Sequence, residues 1–229
     1  TTGDNSVAVG HGALDANTTG NYHTALGYNA LGGNTTASNN TAVGYYSLLA
    51  NTTGYENTAV GKDALLSNVD CFVNTAVGAE TLDANTSGDK NTAVGKGALS
   101  ANTTANNNTA VGFDALVANT TASDNAAFGS SALASNTTGT YNTAVAAQAL
   151  YSNTTADSNT AVGYNALYNT TTGAENTVIG SQAGDANTTG AYNTGLGRGA
   201  LICNTTASNN TAVGGEAMWF NTTGTNNAA

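Results

Sequence analysis

Apolar residues return along this chain every seventeen positions. One column holds Val9, Leu26, Val43, Val60, Val77, Val94, Val111, Phe128, Val145, Val162, Ile179, Leu196 and Val213. A second holds Leu14, Leu31, Leu48, Leu65, Leu82, Leu99, Leu116, Leu133, Leu150, Leu167, Leu201 and Met218, with Gly184 in the one remaining place. A glycine follows the first column in every copy except one, where Ala146 stands in phase. One copy reads N-T-A-V-G-x-x-A-L-x-x-N-T-T-G/A-x-x, and thirteen copies run without insertion or deletion. A strict period of this length reads as a solenoid, because each unit stacks on its neighbour and an added residue would break the stack.

The pattern inside one copy predicts strands. T-A-V alternates and is rich in β-branched residues, as half-buried strands are. Seventeen residues punctuated by Gly and Asn-Thr-Thr leave no room for a stable helix. The expectation is all-β: a β-solenoid or β-roll of thirteen coils with two short strands per coil, around T-A-V and around A-L-x. The Val and Leu columns form its core, and tight turns lie at G-x-x and N-T-T-G. Ala146 implies a bend that does not require positive φ. Strands stack ~4.8 Å apart, giving a rod ~65 Å long. Residues 1–229 read as a single repeat domain, with both ends inside a repeat, as in a segment of a longer array. Its first residues, Thr1-Thr2-Gly3, fall in a turn.

Two asparagine columns reinforce the stack. Asn40, Asn57, Asn74, Asn91, Asn108, Asn125, Asn142 and Asn159 form one, and Asn17, Asn34, Asn51, Asn68, Asn85, Asn102, Asn119, Asn136 and Asn153 another. An amide side chain both donates and accepts, so identical asparagines one coil apart can bond in a ladder.

Composition narrows the functions. Charged residues are only 8% and proline is absent, which argues against a solvated disordered tail and for a backbone committed to hydrogen bonding. The formal charge is −10, and four Lys and Arg cannot build a basic stripe, so nucleic acid is excluded as a partner. No apolar run is long enough for membrane insertion of this segment. Two large apolar residues per coil make a thin core, and self-association is the expected remedy.

Asn5–Gly10, NSVAVG, resembles the head repeat of the YadA-like trimeric autotransporter adhesins, and T-A-V-G…A-L with N-T-T-G spacers is similar to repeats of phage and bacterial tail fibres. The resemblance implies a left-handed β-roll, a homotrimer or filament, and an extracellular place on a cell surface or virion fibre. The expected function is non-enzymatic: a structural or adhesive fibre segment that spaces or displays its variable columns. The alternative is an ice-binding or glycan-binding β-solenoid. Ice binding asks for outward Thr at i and i+2 on a flat face, whereas Thr18 and Thr19 are adjacent and point to opposite sides.

No residue pattern points to catalysis, a cofactor or a metal. His11 and His23 lie in different columns, and Ser130-Ser131 lacks the strand–elbow–helix context of a hydrolase nucleophile. Asp63 and Glu80 share a column and offer at most a weak cation site. Cys71 and Cys203 are nearly eight coils apart, too far for a disulfide, and stand in small-residue columns. Asn-Thr-Thr also satisfies the glycosylation sequon. Candidate attachment sites are Asn17, Asn34, Asn51, Asn85, Asn102, Asn119, Asn136, Asn153, Asn169, Asn187, Asn204 and Asn221, all products of one repeated turn. Tyr22, Tyr28, Tyr45, Tyr46, Tyr55, Tyr141, Tyr164 and Tyr192 fall outside the core columns, available to stack on sugars or pack between chains.

Overall fold

A computed structural model describes residues 3–229, so the turn expected at Thr1 and Thr2 lies outside the described residues. The protein is a β-solenoid of stacked 17-residue coils with no helix among the described residues. Its coils fall in two compact units, Thr1–Phe113 and Asp114–Ala229. The first holds β1 (Val7–Val9), β2 (Thr24–Leu26), β3 (Thr41–Val43), β4 (Thr58–Val60), β5 (Thr75–Val77), β6 (Thr92–Val94) and β7 (Thr109–Val111). The second holds β8 (Ala126–Phe128), β9 (Thr143–Val145), β10 (Thr160–Val162), β11 (Thr177–Ile179), β12 (Thr194–Leu196) and β13 (Thr211–Val213). Within each unit every strand pairs in parallel with the next, and Thr41↔Thr58, Ala42↔Ala59 and Val43↔Val60 typify the register. Each column therefore continues through its unit without slip.

The second expected strand is absent. A-L-x forms a tight turn, and its Leu occupies the left-handed region, with φ of 51–56° from Leu14 to Met218. Inter-coil bonding persists there, as Leu48 N–H donates to the Ala64 carbonyl at 2.9 Å, but the backbone bends too sharply for a strand. Left-handed backbone costs an L-residue roughly 1–2 kcal/mol. Burying a leucine offsets this with roughly 1.5–3 kcal/mol.

The core is also arranged differently from the expectation. Leu31, Leu48, Leu65, Leu82, Leu99, Leu116, Leu133, Leu150, Leu167 and Leu201 are buried, with Leu14 and Met218 half-buried in the end coils. The other predicted column faces outward. Val43, Val60, Val77, Val94, Val111, Val145 and Val162 are half-buried, while Val9, Leu26, Phe128, Ile179, Leu196 and Val213 are 40–57% exposed. The residue between Thr and Val points inward instead, as fully buried Ala42, Ala59, Ala76 and Ala93 show. The cause is geometric. Alternate strand residues face opposite sides, and the narrow interior of a 17-residue coil holds one large side chain, so the Leu fills it and the facing strand supplies Ala.

One coil reverses this assignment. Gly184 stands in the Leu column, and Val178 stands in the inward Ala position of β11 and is fully buried. A Cβ on Gly184 would lie 3.6 Å from Val178 Cγ1, so Val178 occupies the space the missing leucine would fill. In the next coil the inward position is Gly195, where a Cβ would meet Val178 Cγ1 at 3.5 Å. Volume is exchanged between the two sides of the interior, and packing is kept.

The bend after Val is a true glycine position. From Gly10 to Gly214 its φ is 128–145°, and a Cβ on Gly44 would run into the carbonyl of Gly61 one coil on. Ala146 adopts the same bend at φ 107°, so the expectation of an ordinary turn there is corrected: its backbone is strained.

Candidate functional site

Two asparagine ladders run inside the coils. In the Asn-Thr-Thr column a typical amide donates both to the preceding rung and within its own turn. Asn51 Nδ2 donates to Asn34 Oδ1 at 3.0 Å and to the Gly54 carbonyl at 2.8 Å, tying one coil to its neighbour and closing its own turn. In the column before the strand, Asn40 Nδ2 reaches the same Gly54 carbonyl at 2.8 Å, and Asn40 Oδ1 accepts the backbone N–H of Asn57 at 2.9 Å. The two ladders thus meet on one carbonyl, whose two lone pairs are both used. The predicted ladders are present, and their buried amides are satisfied except at Asn153 Oδ1.

This burial corrects the glycosylation reading. Asn34, Asn51, Asn85, Asn102, Asn119, Asn136 and Asn153 are fully buried, Asn187 and Asn204 are 1% exposed, and Asn17 is 6% exposed. A glycan on any of these Nδ2 atoms would replace a ladder donor and need space the interior lacks. Asn169 is exposed and Asn221 half-buried. Asn169 lies one residue out of phase, and Thr170 takes the ladder place. With no amide above it, Asn153 Oδ1 is buried without a partner.

His23 replaces an asparagine in the second ladder. Its Nε2 lies 2.8 Å from the Ala37 carbonyl, and its Nδ1 accepts the Asn40 N–H at 3.3 Å. These partners specify the neutral ring with its proton on Nε2. Burial lowers the pKa, against the raising effect of the Ala37 and Asn40 backbone bonds. Cys71 is buried and Cys203 half-buried, both free. Burial, followed by Asp89 and Asp70, pushes the Cys71 thiol up to about 11, so it stays protonated and unreactive at neutral pH.

The candidate acidic pair is neutralised. Lys62 Nζ lies 2.7 Å from Asp63 and 3.7 Å from Glu80, and Lys96 lies 3.8 Å from Glu80. Among the described residues no three His, Cys, Asp or Glu side chains gather as a metal site would require.

The outer surface holds two kinds of feature. The first is the outward face of the strands, where Thr and Val stand two residues apart on the same side and repeat in register. No strand residue in either unit is charged, although the chain carries −10. The second is the set of aromatic stacks on the turns. His11, Tyr28 and Tyr45 stack in succession at 5.3 and 5.4 Å, Tyr55 stacks on Phe72 at 5.2 Å, and Tyr151 on Tyr168 at 5.1 Å. A ring inside a stack, such as Tyr28, gives both faces to its neighbours, and a ring at the end of a stack gives one. Tyr22, Tyr141, Tyr164 and Tyr192 are 51–65% exposed and retain open faces. Hydrophobicity hides the outward Thr and Val pair in the sequence, because it favours Val inside, whereas period-two alternation on T-A-V places both on one side.

Comparison with protein-family models and with curated proteins gives no match to this chain.

Proposed function

We propose that this chain is a non-enzymatic structural segment of an extracellular fibre, in which copies of the chain pack together through the outward Thr and Val face. The observation that carries the reading is that face: an uninterrupted apolar column in each unit, uncharged in an acidic protein and 40–57% exposed where it is least covered. A typical coil buries one Leu and several small residues, and covering the Val column adds a second large apolar side chain per coil that one chain leaves half-buried or exposed. Burying a Val fully is worth roughly 1.5–3 kcal/mol, so even partial cover repeated along the face is a substantial driving force. A second copy suits it because identical columns repeat at the same interval. The resemblance of NSVAVG to adhesin heads favours three copies and a place on a cell or virion surface. The turn columns, which vary from coil to coil, remain outside for display or attachment.

Sedimentation equilibrium of the 229-residue chain tests this. The expected mass is a small multiple of 22.5 kDa, and Val60→Lys with Val77→Lys and Val94→Lys lowers it to one chain while the circular dichroism spectrum is kept. A single-chain mass for the unaltered protein at all concentrations would sink the reading.

The same face favours a second reading. Outward Thr at i with Val at i+2, regular and uncharged, has the character of a surface that orders water, and an uncovered face would suit ice. Ice crystals that grow normally in the presence of single-chain protein exclude it.

A further inference from the structure

We infer that Tyr151 and Tyr168 form a site of oxidative coupling that staples two successive coils by a covalent bond. The rings lie 5.1 Å apart with an angle of 5° between their planes, one coil above the other. Both follow the buried Leu of their coil, and the backbone beside them is fixed, because Ser152 N–H donates to the Tyr168 carbonyl at 3.0 Å. Both are half-buried, which favours each other over a tyrosine of another molecule. The fold therefore holds two phenols at near-contact in one register, a proximity that free side chains reach only transiently.

The chemistry needs a one-electron oxidant, such as a haem peroxidase charged with hydrogen peroxide. Each phenol loses one electron and one proton to give a phenoxyl radical with spin density on the ring carbons ortho to oxygen. The two radicals join through these carbons, and each ring then moves its ortho hydrogen, as a proton, to its oxygen and regains aromaticity. One hydrogen peroxide accepts the two electrons and two protons and leaves as two waters. The chain loses two hydrogen atoms and gains one carbon–carbon bond. Rotation about the Cα–Cβ bonds brings the ortho carbons together from the stacked arrangement. Tyr28 and Tyr45 show related geometry at 5.4 Å and 13°, with Tyr46 beside them.

Geometry and exposure make opposite predictions. Tyr22, Tyr141 and Tyr192 are 57–65% exposed and thus easier to oxidise, but none stacks on a second tyrosine. The dilute folded chain is treated with peroxidase and limiting peroxide, and its peptides are mapped by mass spectrometry. The expected product is one chain lighter by two hydrogen atoms per link, with blue dityrosine fluorescence and a linked peptide pair containing Tyr151 and Tyr168. Tyr168→Phe abolishes that pair, and heat unfolding before oxidation removes the preference for it. Folded, oxidised chain without the Tyr151–Tyr168 link, or with links confined to Tyr22, Tyr141 and Tyr192, would overturn the inference.

Discussion

Ala146 is the one place where the bend after Val lacks glycine, and it keeps the glycine backbone at φ 107°. Its retained strain is worth roughly 1–3 kcal/mol. Glycine there would relieve that strain and lose about 0.5–1 kcal/mol to unfolded-chain entropy. Ala146→Gly is therefore expected to stabilise the protein by about 1 kcal/mol, a rise in melting midpoint of about 2–4 °C; calorimetry of the two proteins measures it, and a fall in midpoint contradicts it. His23 is the second informative exception. Its folded pKa lies below its ordinary value because burial disfavours the charged ring. As pH falls through about 6.5 the unfolded chain gains a proton that the folded chain refuses, so stability is full above that pH and declines below it. Protonation at Nδ1 also ends acceptance from Asn40. Asp83 and Asp185, whose pKa values burial raises, act in the opposite direction at lower pH, so the wild type alone would blur the effect. Asn is the ladder residue of this column, and His23→Asn should match the wild type near pH 8. It should gain on the wild type as pH falls, by up to about 1.4 kcal/mol per pH unit between the two pKa values. A difference between the two proteins' denaturation midpoints that is the same at pH 8 and pH 5 would refute this assignment of the ring.

At the scale of elements, the coil is a closed exchange of volume between its strand and its Leu turn. Val178 and Gly184 make the clearest case. Val178→Ala alone opens a cavity and is expected to cost about 2–3 kcal/mol. Gly184→Leu alone forces a leucine against Val178 and costs about 1–3 kcal/mol. Together they rebuild the arrangement of the other coils, and the double variant should lie near wild type, a coupling of at least about 2 kcal/mol in a double-mutant cycle. Urea denaturation of the four proteins checks this; losses that simply add would show that the two positions do not share one space. The ladders follow the same logic of exchange. Thr170 interrupts one, and the cost is local: Asn153 Oδ1 loses its donor while Asn153 Nδ2 still bonds Asn136 at 2.8 Å and the Ala156 carbonyl at 3.1 Å.

For the molecule as a whole, stability is built from nearest-neighbour terms, as in other stacked repeats. A typical coil contributes one buried leucine, inward small residues and inter-coil backbone bonding, and leaves a Thr and an apolar residue on the outer side of its strand. The polar interior is unusual in amount: asparagine amides, not aliphatic side chains, line much of the turn side of the coil. Such a network is favourable only when complete, and here most rungs are complete. This network sets the cost of an insertion, since an added residue would break the rungs of the coil that carries it. It also leaves chemical variety on the outer turns, where Lys62, Glu80, Tyr55 and Tyr141 change from coil to coil without touching the ladders.

The period, the stacking, the asparagine ladders and the buried leucines were all legible in the residues, because each follows from a column that cannot vary without breaking its neighbours. Which side of T-A-V faces in was not. Thr and Val share one side and Ala the other, and hydrophobicity alone prefers Val inside. Only the width of the closed coil, already filled by Leu, sends Val outward. The left-handed leucines were hidden for a related reason. A non-glycine residue rarely adopts positive φ, and nothing in A-L-x announces it, whereas closing seventeen residues into a coil requires it in every turn. The sequon was legible and misleading, since the same Asn-Thr-Thr that invites a glycan on an exposed loop becomes a buried rung once coils stack. Sequence determined what repeats and what must bond between coils; tertiary structure decided what points in, because the size of the interior is a property of the closed coil and of no single residue.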